Sequence, residues 1–389
     1  MPDEPALRPT SYPDGFAGSE RDRRALLVLT ALSGMTARML LAVAERRGSA
    51  AACLDAVLGG REGGPGDREW APRIRPDLLE RGLVACGARM VAWGEAEYPP
   101  GLTDLTDPPA ALYVRGRDLR ALQPAVAVVG SRGCSDLGRE VAADLGRGLA
   151  AVAVCVVSGA ARGIDTASHR GALDAAGATV AVLGSGIDVL YPPGSRRLLH
   201  QIESAGAIVS EYPPAISAEP WRFPARNRIV AGLARALVVV EGARGSGSMI
   251  TVEHALELGR EVFAVPGPVT SPLSEMPLAL RRDGAVPIRG AGDLLADLGF
   301  HDRPPSQAGP VGLPESERRV FERLTGPSLP DAVARSVGVS IPEAVAALIR
   351  LELRGLVRNV GGRYERRLTP QARVPSSTER DGGTDPGEA

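Results

Sequence analysis

Between residues 125 and 267 six short apolar runs each give way to a turn bearing Gly, Ser or Pro, and this constrains the fold more than any other feature. The runs are Val126–Val129, Val152–Val157, Thr179–Leu183, Ala207–Val209, Ala236–Val240 and Val262–Val265. They are largely β-branched and show no polar alternation, as strands buried on both faces do. Segments of helical spacing, such as Gly138–Ala150 and Asp165–Ala176, lie between them. The alternation predicts an α/β fold, a parallel sheet with helices on both faces.

In such a sheet the carboxyl ends of the strands share one edge, where ligands bind. The turns at those ends are Gly130-Ser131-Arg132, Ser158-Gly159-Ala160-Ala161-Arg162-Gly163, Gly184-Ser185-Gly186, Ser210-Glu211-Tyr212, Glu241-Gly242-Ala243 and Pro266-Gly267. One Gly-rich turn only reverses the chain; six at one edge, some carrying Ser or Arg, suggest a groove lined for phosphate. The stretch 223–251 adds Phe223, Arg226, Asn227 and Arg228, with Trp221 and Arg222 just before it, then the loop Gly245-Ser246-Gly247-Ser248. A helix opening near Met249 would aim free N–H groups at an anion, although Ser and Gly also cap helices with no ligand present. Arg196 and Arg197, after Tyr191-Pro192-Pro193, read either as a solvated helix start or as a second wall of the groove. Arg226 and Arg228 have a structural alternative too, pairing with Glu211 or Glu241.

The net charge is −1, so any nucleic-acid site must be a local patch. Every basic residue is Arg, and each phosphate contact would therefore be made by a planar fork. Cys53, Cys86, Cys134 and Cys155 are scattered without metal or redox spacing, which fits a reducing cytoplasm. The first residues lack a signal-peptide pattern and no apolar run approaches a membrane span, so no membrane is expected.

Residues 1–19, rich in Pro and Gly, are expected to be a disordered tail. Residues 20–95 read as a helical domain, with Arg24–Leu32 and Thr36–Ala44 joined by a Leu-Ser-Gly-Met turn similar to a helix-hairpin-helix element. Such a turn can hold DNA phosphate, but any short helical hairpin needs a Gly. The sheet domain is expected over 98–300, entered through an extended link at Tyr98–Pro100 and Pro108–Pro109, and 301–312 is a linker by composition. Residues 313–367 show three helices (Glu315–Leu324, Pro330–Val337, Pro342–Arg354) and a hairpin turning at Gly361-Gly362, a winged-helix pattern. Ten Arg against seven acids give that unit only +3, which points to an auxiliary module more than to the main DNA site. Residues 368–389 are expected to be a second disordered tail.

A dinucleotide enzyme is disfavoured: the first strand ends Gly-Ser-Arg-Gly, the second carries no acid, and Gly184-x-Gly186 leads to Ile187-Asp188. No P-loop Lys is present to support NTP hydrolysis. The four histidines lack metal-ligand spacing; His169 follows Asp165 by one helical turn and could pair with it, and Glu211 and Glu241 could face one groove. No nucleophile and base stand out together, so neither catalytic residues nor a metal or cofactor are expected.

The blocks VAVVGSR (126–132), VVSGAARGIDTASHRGAL (156–173), VAVLGSGIDVLYPP (180–193), SEYPP (210–214), the stretch 223–251 and GREVFAVPG (259–267) resemble the DNA-processing protein A family, DprA/Smf. The resemblance covers about residues 98–300, and the flanks match more loosely. It implies an extended Rossmann-like domain that binds single-stranded DNA without catalysis, dimerises, and delivers DNA to the recombinase RecA during natural transformation. On this chain it places DNA contacts at Gly130-Ser131-Arg132, at Arg196 and Arg197, at Phe223 to Arg228 and at Ser246-Gly247-Ser248. Ser158, Gly159, Arg162, Gly163, Gly184 and Ser185 join them as the remaining turns of the same edge. Two departures stand out: Ser168 where Ala usually precedes His169, and Glu275-Met276-Pro277-Leu278 where the family tends to have Gly, then Asn or His. The rival reading is a phosphoribohydrolase-like nucleotide-processing enzyme, whose Pro-Gly-Gly-x-Gly-Thr motif is absent here.

Overall fold

The computed structural model describes residues 11–300, 314–324, 326–353 and 356–366. The tails before residue 11 and after 366 and the linker expected at 301–312 lie outside the described residues.

The N-terminal helices begin where the caps dictate. Ser19 and Asp22 form a capping box that opens α1 (Glu20–Ala31), and the second oxygen of Asp22 accepts the Ala51 N–H at 2.9 Å. Thr36 caps α2 (Ala37–Arg47), Ser49 caps α3 (Ala50–Leu58), and α4 (Pro65–Trp70) and α5 (Pro76–Cys86) each start on Pro. Residues 11–19 are not the loose tail expected from their Pro and Gly content. Tyr12 and Phe16 stack at 4.7 Å and are buried in the core of these helices, and the Tyr12 hydroxyl donates to the Pro108 carbonyl. Two large aromatics bury enough apolar surface to fix this segment. The Leu-Ser-Gly-Met turn is not open to a phosphate either. The Gly34 N–H donates to Asp67 at 3.0 Å, and that carboxylate is itself buried.

The sheet has nine strands: β1 (Ala88–Ala92), β2 (Ala111–Gly116), β3 (Ala125–Val129), β4 (Cys155–Ser158), β5 (Thr179–Val182), β6 (Ala207–Ser210), β7 (Ala236–Val239), β8 (Glu261–Ala264) and β9 (Val286–Pro287). Their order is β1-β2-β6-β5-β4-β3-β7-β8-β9, and the seven from β6 to β9 are parallel. The run read as Val152–Val157 enters the sheet only at Cys155, because residues 152–154 complete the turn out of the preceding helix.

β1, within the segment expected to be helical, and β2, inside the expected sheet domain but ahead of the first expected strand, are two further strands. β2 runs antiparallel to β6, and β1 antiparallel to β2, with Val91 opposite Leu112 and Tyr113 opposite Ser210. The connection between them, residues 93–110, carries Pro99, Pro100, Pro108 and Pro109, which interrupt a long crossover helix, and the chain returns antiparallel.

Alternation along the strands divides the interior. Val126, Val128, Val156 and Val238 face one layer with α6 (Asp136–Ala151), α7 (Ile164–Asp174) and α12 (Ala291–Asp297). Ala127, Val129, Val157, Val180 and Val182 face the other with α9 (Arg222–Leu233), α10 (Ser248–Glu257) and α11 (Glu275–Arg282). Between β5 and β6 runs α8 (Arg196–Ala205), which buries Leu198, Leu199 and Ile202. From β3 the chain winds through β4, β5 and β6 in one direction and through β7, β8 and β9 in the other. The loops after β3 and β7 therefore diverge at a switch point, where a crevice opens.

The C-terminal unit has its own core. Val320, Leu324, Val333, Leu348 and Leu351 from α13 (Glu315–Arg323), α14 (Pro330–Val337) and α15 (Ile341–Leu353) pack with Val357 and Tyr364 of the hairpin β10 (Val357–Val360) and β11 (Arg363–Arg366).

Candidate nucleic-acid interface

The turns after β3, β4 and β5 meet the start of α9 around an open groove of about 960 Å³. Its lining runs from Arg132 and the Gly159–Gly163 turn through Tyr191, Arg197 and Gln201 to Phe223 and Arg226. Phe223 forms its flat floor. The ring lies 5.4 Å from that of Tyr191, and the Arg132 guanidinium stands over it at 5.7 Å. Gly184 makes this possible, since a Cβ there would lie 2.9 Å from the Phe223 ring. Gly163 has φ +82°, and a Cβ would come within 2.2 Å of the Ser131 carbonyl, so the β3 and β4 turns close on each other only through a glycine.

Beneath the floor is a buried polar knot. Arg226, 5% exposed, donates to the carbonyls of Gly159, at 2.8 Å, and Val182. Burial pulls its pKa down to about 10, against the attraction of Asp165. Asp165 accepts the N–H groups of Gly159 and Ala161, each at 3.2 Å, and burial raises its pKa. His169 does not pair with Asp165. Its Nδ1 meets Thr179 Oγ1 at 2.6 Å, and that hydroxyl donates onward to the Val156 carbonyl at 2.8 Å. Nδ1 is therefore the donor, which leaves Nε2 a buried acceptor without a partner among the described residues. Burial drives the His169 pKa down to about 3.

Several residues expected at the groove have structural posts instead. Arg228, two positions on from Arg226, points away from it: 3% exposed, it donates to both Glu211 oxygens at 2.9 and 2.5 Å and pairs with Asp107 at 3.1 Å. These carboxylates outweigh burial and hold its pKa above the usual value. The pairing is the structural alternative, because a two-residue step on a helix turns the side chain to the opposite face. Trp221 also lies off the groove, packing with Tyr212 and with the buried Arg222. Ser158 and Ser185 are buried and donate to the carbonyls of Val128 and Val189. Glu211 and Glu241 do not share a groove, since β6 and β7 are separated by three strands. Glu241 instead accepts the N–H of Ser135, the residue that caps α6.

The Gly/Ser loop lies across the switch point, not in the groove. Ser248 Oγ donates to the Gly130 carbonyl at 3.1 Å, and Asn227 Nδ2 to the Gly247 carbonyl at 3.2 Å. The loop is less open to an anion than its composition suggests. The Ser246 N–H donates to Ala243, that of Ser248 to Ser246 Oγ, and that of Met249 to the Ser246 carbonyl. The departures at 275–278 act here: Glu275 accepts the Arg244 N–H at 3.2 Å, and the buried Met276 covers Gly242.

The guanidinium groups left around the groove are the notable feature. Arg132, Arg162, Arg170 and Arg197 line it and are exposed, and among the described residues none has a carboxylate within 4.0 Å. Arg196, equally exposed and unpaired, is not among the residues that line the groove and lies with His200 and Ser204 along α8. Elsewhere most arginines are paired, among them Arg46, Arg89, Arg115, Arg228 and Arg289. Arg170 escaped the reading of the sequence because it sits inside a helix, not in a turn. Its signal is the four-residue spacing after Arg162 and Thr166. In the C-terminal unit the outward face of α15 carries Ile341, Pro342 and Ile349, while Arg350 is held by Glu317 at 2.8 Å. Among the described residues, that face offers little to phosphate.

Unpaired arginines, a flat ring and glycine turns at the edge of a Rossmann-like sheet are groups of the kind a polyanion-binding protein uses. The model of the DNA recombination-mediator protein A family matches residues 89–299, and that of the DprA winged helix domain matches residues 304–363. The chain belongs to this family, whose members are DNA-binding recombination mediators and not enzymes. A putative DNA processing protein DprA from Mycobacterium tuberculosis is 40% identical over 315 residues, 79% of this chain and 77% of that protein. Protein Smf of Escherichia coli is 40% identical over 69% of this chain and 75% of its own length. The crystal structure of DNA processing protein A from Streptococcus pneumoniae superposes with a TM-score of 0.62 at 34% identity, covering 70% of this chain and 97% of that one. The protein from Helicobacter pylori, described for its single-stranded DNA binding mode, gives 0.50 at 25% identity, over 54% of this chain and 95% of that one.

Proposed function

We propose that this chain binds single-stranded DNA in the Arg132–Phe223 groove and, acting as a homodimer, passes it to the recombinase RecA in DNA uptake and recombination. The observation that carries the binding step is the ring of unpaired arginines around the Phe223 and Tyr191 rings. Guanidinium forks neutralise phosphates whatever the sequence, and a flat ring takes any base by stacking. The Helicobacter pylori relative, whose binding of single-stranded DNA is described, supports the same ligand here. Delivery to RecA and dimerisation rest on family membership.

A stiff duplex cannot splay a base onto Phe223, so single strands bind more tightly than duplex of the same length at the same salt. A gel-shift competition between the two tests this, and equal affinity would count against the groove. Acid–base chemistry on a nucleotide has little support near Phe223, because Asp174, the exposed carboxylate that lines the groove, stands at its far end beside Arg147 and Arg170. Asp165 is engaged with loop N–H groups and Glu241 with the cap of α6.

A further inference from the structure

We infer that the strand leaves the Phe223 floor along α7, with Arg162, Thr166 and Arg170 spaced beneath successive phosphates and α8 as the opposite wall. The inference rests on the single-stranded DNA reading above and adds a path and a residue, Arg170, to it. Three observations carry it. The groove does not stop at the Gly159–Gly163 turn but continues past Thr166 to Arg170 and Asp174, faced by Arg197 and Gln201 of α8. Thr166 and Arg170, four apart within α7, share one helix face about 6 Å apart, comparable with the phosphate step of an extended strand, and Arg162 stands just before the helix cap Gly163. Arg170 is exposed and, among the described residues, has no carboxylate within 4.0 Å; Asp174, one turn further on, is attracted by both Arg147 and Arg170.

The other exit, over the Gly/Ser loop, is less suited to a polyanion. The carboxylate of Glu275 already takes the Arg244 N–H there, and the N–H groups of Ser246, Ser248 and Met249 are engaged within the loop. Asp174 marks the far end, because an acid repels the next phosphate. The ligand is thus a strand several nucleotides long, not a mononucleotide.

The test is affinity for oligothymidylates of increasing length, measured with the full chain and with Arg170→Ala, Arg132→Ala and Arg281→Ala. Arg281, exposed on α11, controls for the loss of one charge. Arg132→Ala should weaken binding at every length. Arg170→Ala should match wild type on the shortest oligomers, lose the gain on lengthening, and flatten the log K against log[salt] slope on long ones by roughly 0.7. Arg281→Ala should behave as wild type, and melting curves should match for all four proteins. If Arg170→Ala follows Arg281→Ala while Arg132→Ala binds weakly, the path is wrong and the groove stands. If Arg132→Ala is also silent, the groove reading itself fails.

Discussion

The Arg132 guanidinium stands over the Phe223 ring at 5.7 Å, bringing the loop after β3 and the first turn of α9 to one point. A base lying on that ring would place its phosphate within reach of the fork. The two residues should therefore fail differently. Phe223→Ala removes stacking worth roughly 1–3 kcal/mol per base, so single-strand affinity should fall about fivefold to more than a hundredfold with the salt slope unchanged. Fluorescence titrations at several salt concentrations check this. A flatter slope would show that the ring acts through Arg132 and not by stacking.

Gly159 and Arg226 are packed so closely that a Cβ on Gly159 would lie 2.4 Å from the guanidinium. Gly159→Ala must move either the β4 turn or Arg226, a strain of roughly 1–3 kcal/mol. The fold should survive, since the position is at the sheet's edge, while single-strand affinity drops about tenfold or more. Wild-type affinity in the variant would mean that the turn does not shape the groove.

Arg228 and Glu211 make a different prediction, because they hold α9 to β6 and stay out of the groove. Glu211→Ala leaves Arg228 with Asp107 and the Ala225 carbonyl, so the cost should lie at or below the roughly 3–5 kcal/mol of leaving a buried charge uncompensated. The melting temperature should fall steeply while the remaining folded protein binds DNA with an unchanged salt slope. Weaker binding with a flatter slope and normal melting would restore Arg228 to the groove.

His169 sets a pH dependence of stability. Its pKa is about 3 in the fold and about 6.5 unfolded, so between those values the unfolded chain binds the extra proton. The stabilisation is full above about pH 6.5 and is lost as pH falls towards 3, the loss amounting to about 2 kcal/mol at pH 5. His169→Gln should lose less stability than wild type between pH 7 and pH 5, as denaturant titrations at the two pH values can measure. Parallel losses would show that His169 is not buried neutral.

The parallel sheet and its ligand edge were legible because buried strands announce themselves as unbroken apolar runs with Gly or Ser at their ends. β1 and β2 were not, since ARMVA and ALYVRG lie among helices and prolines and their pairing is long-range. Composition placed Arg132, Arg162, Arg197 and Phe223 at one edge but could not separate Arg226 from Arg228, because only the helix phase and the position of Glu211 decide which way each points. Nor could it foresee Asp67 closing the Gly34 turn or Tyr12 anchoring the N-terminal segment. Both depend on partners dozens of residues away.

The central claim, that unpaired arginines around Phe223 neutralise the phosphates of a single strand, is tested most directly by one salt series. Binding of a long oligothymidylate is measured from low to high salt for the wild type and for Arg132→Ala/Arg197→Ala. Each arginine that neutralises a phosphate adds roughly 0.7 to the log K against log[salt] slope, so the double variant should flatten it by about 1.4, with melting curves unchanged. Coincident slopes for the two proteins would contradict the account.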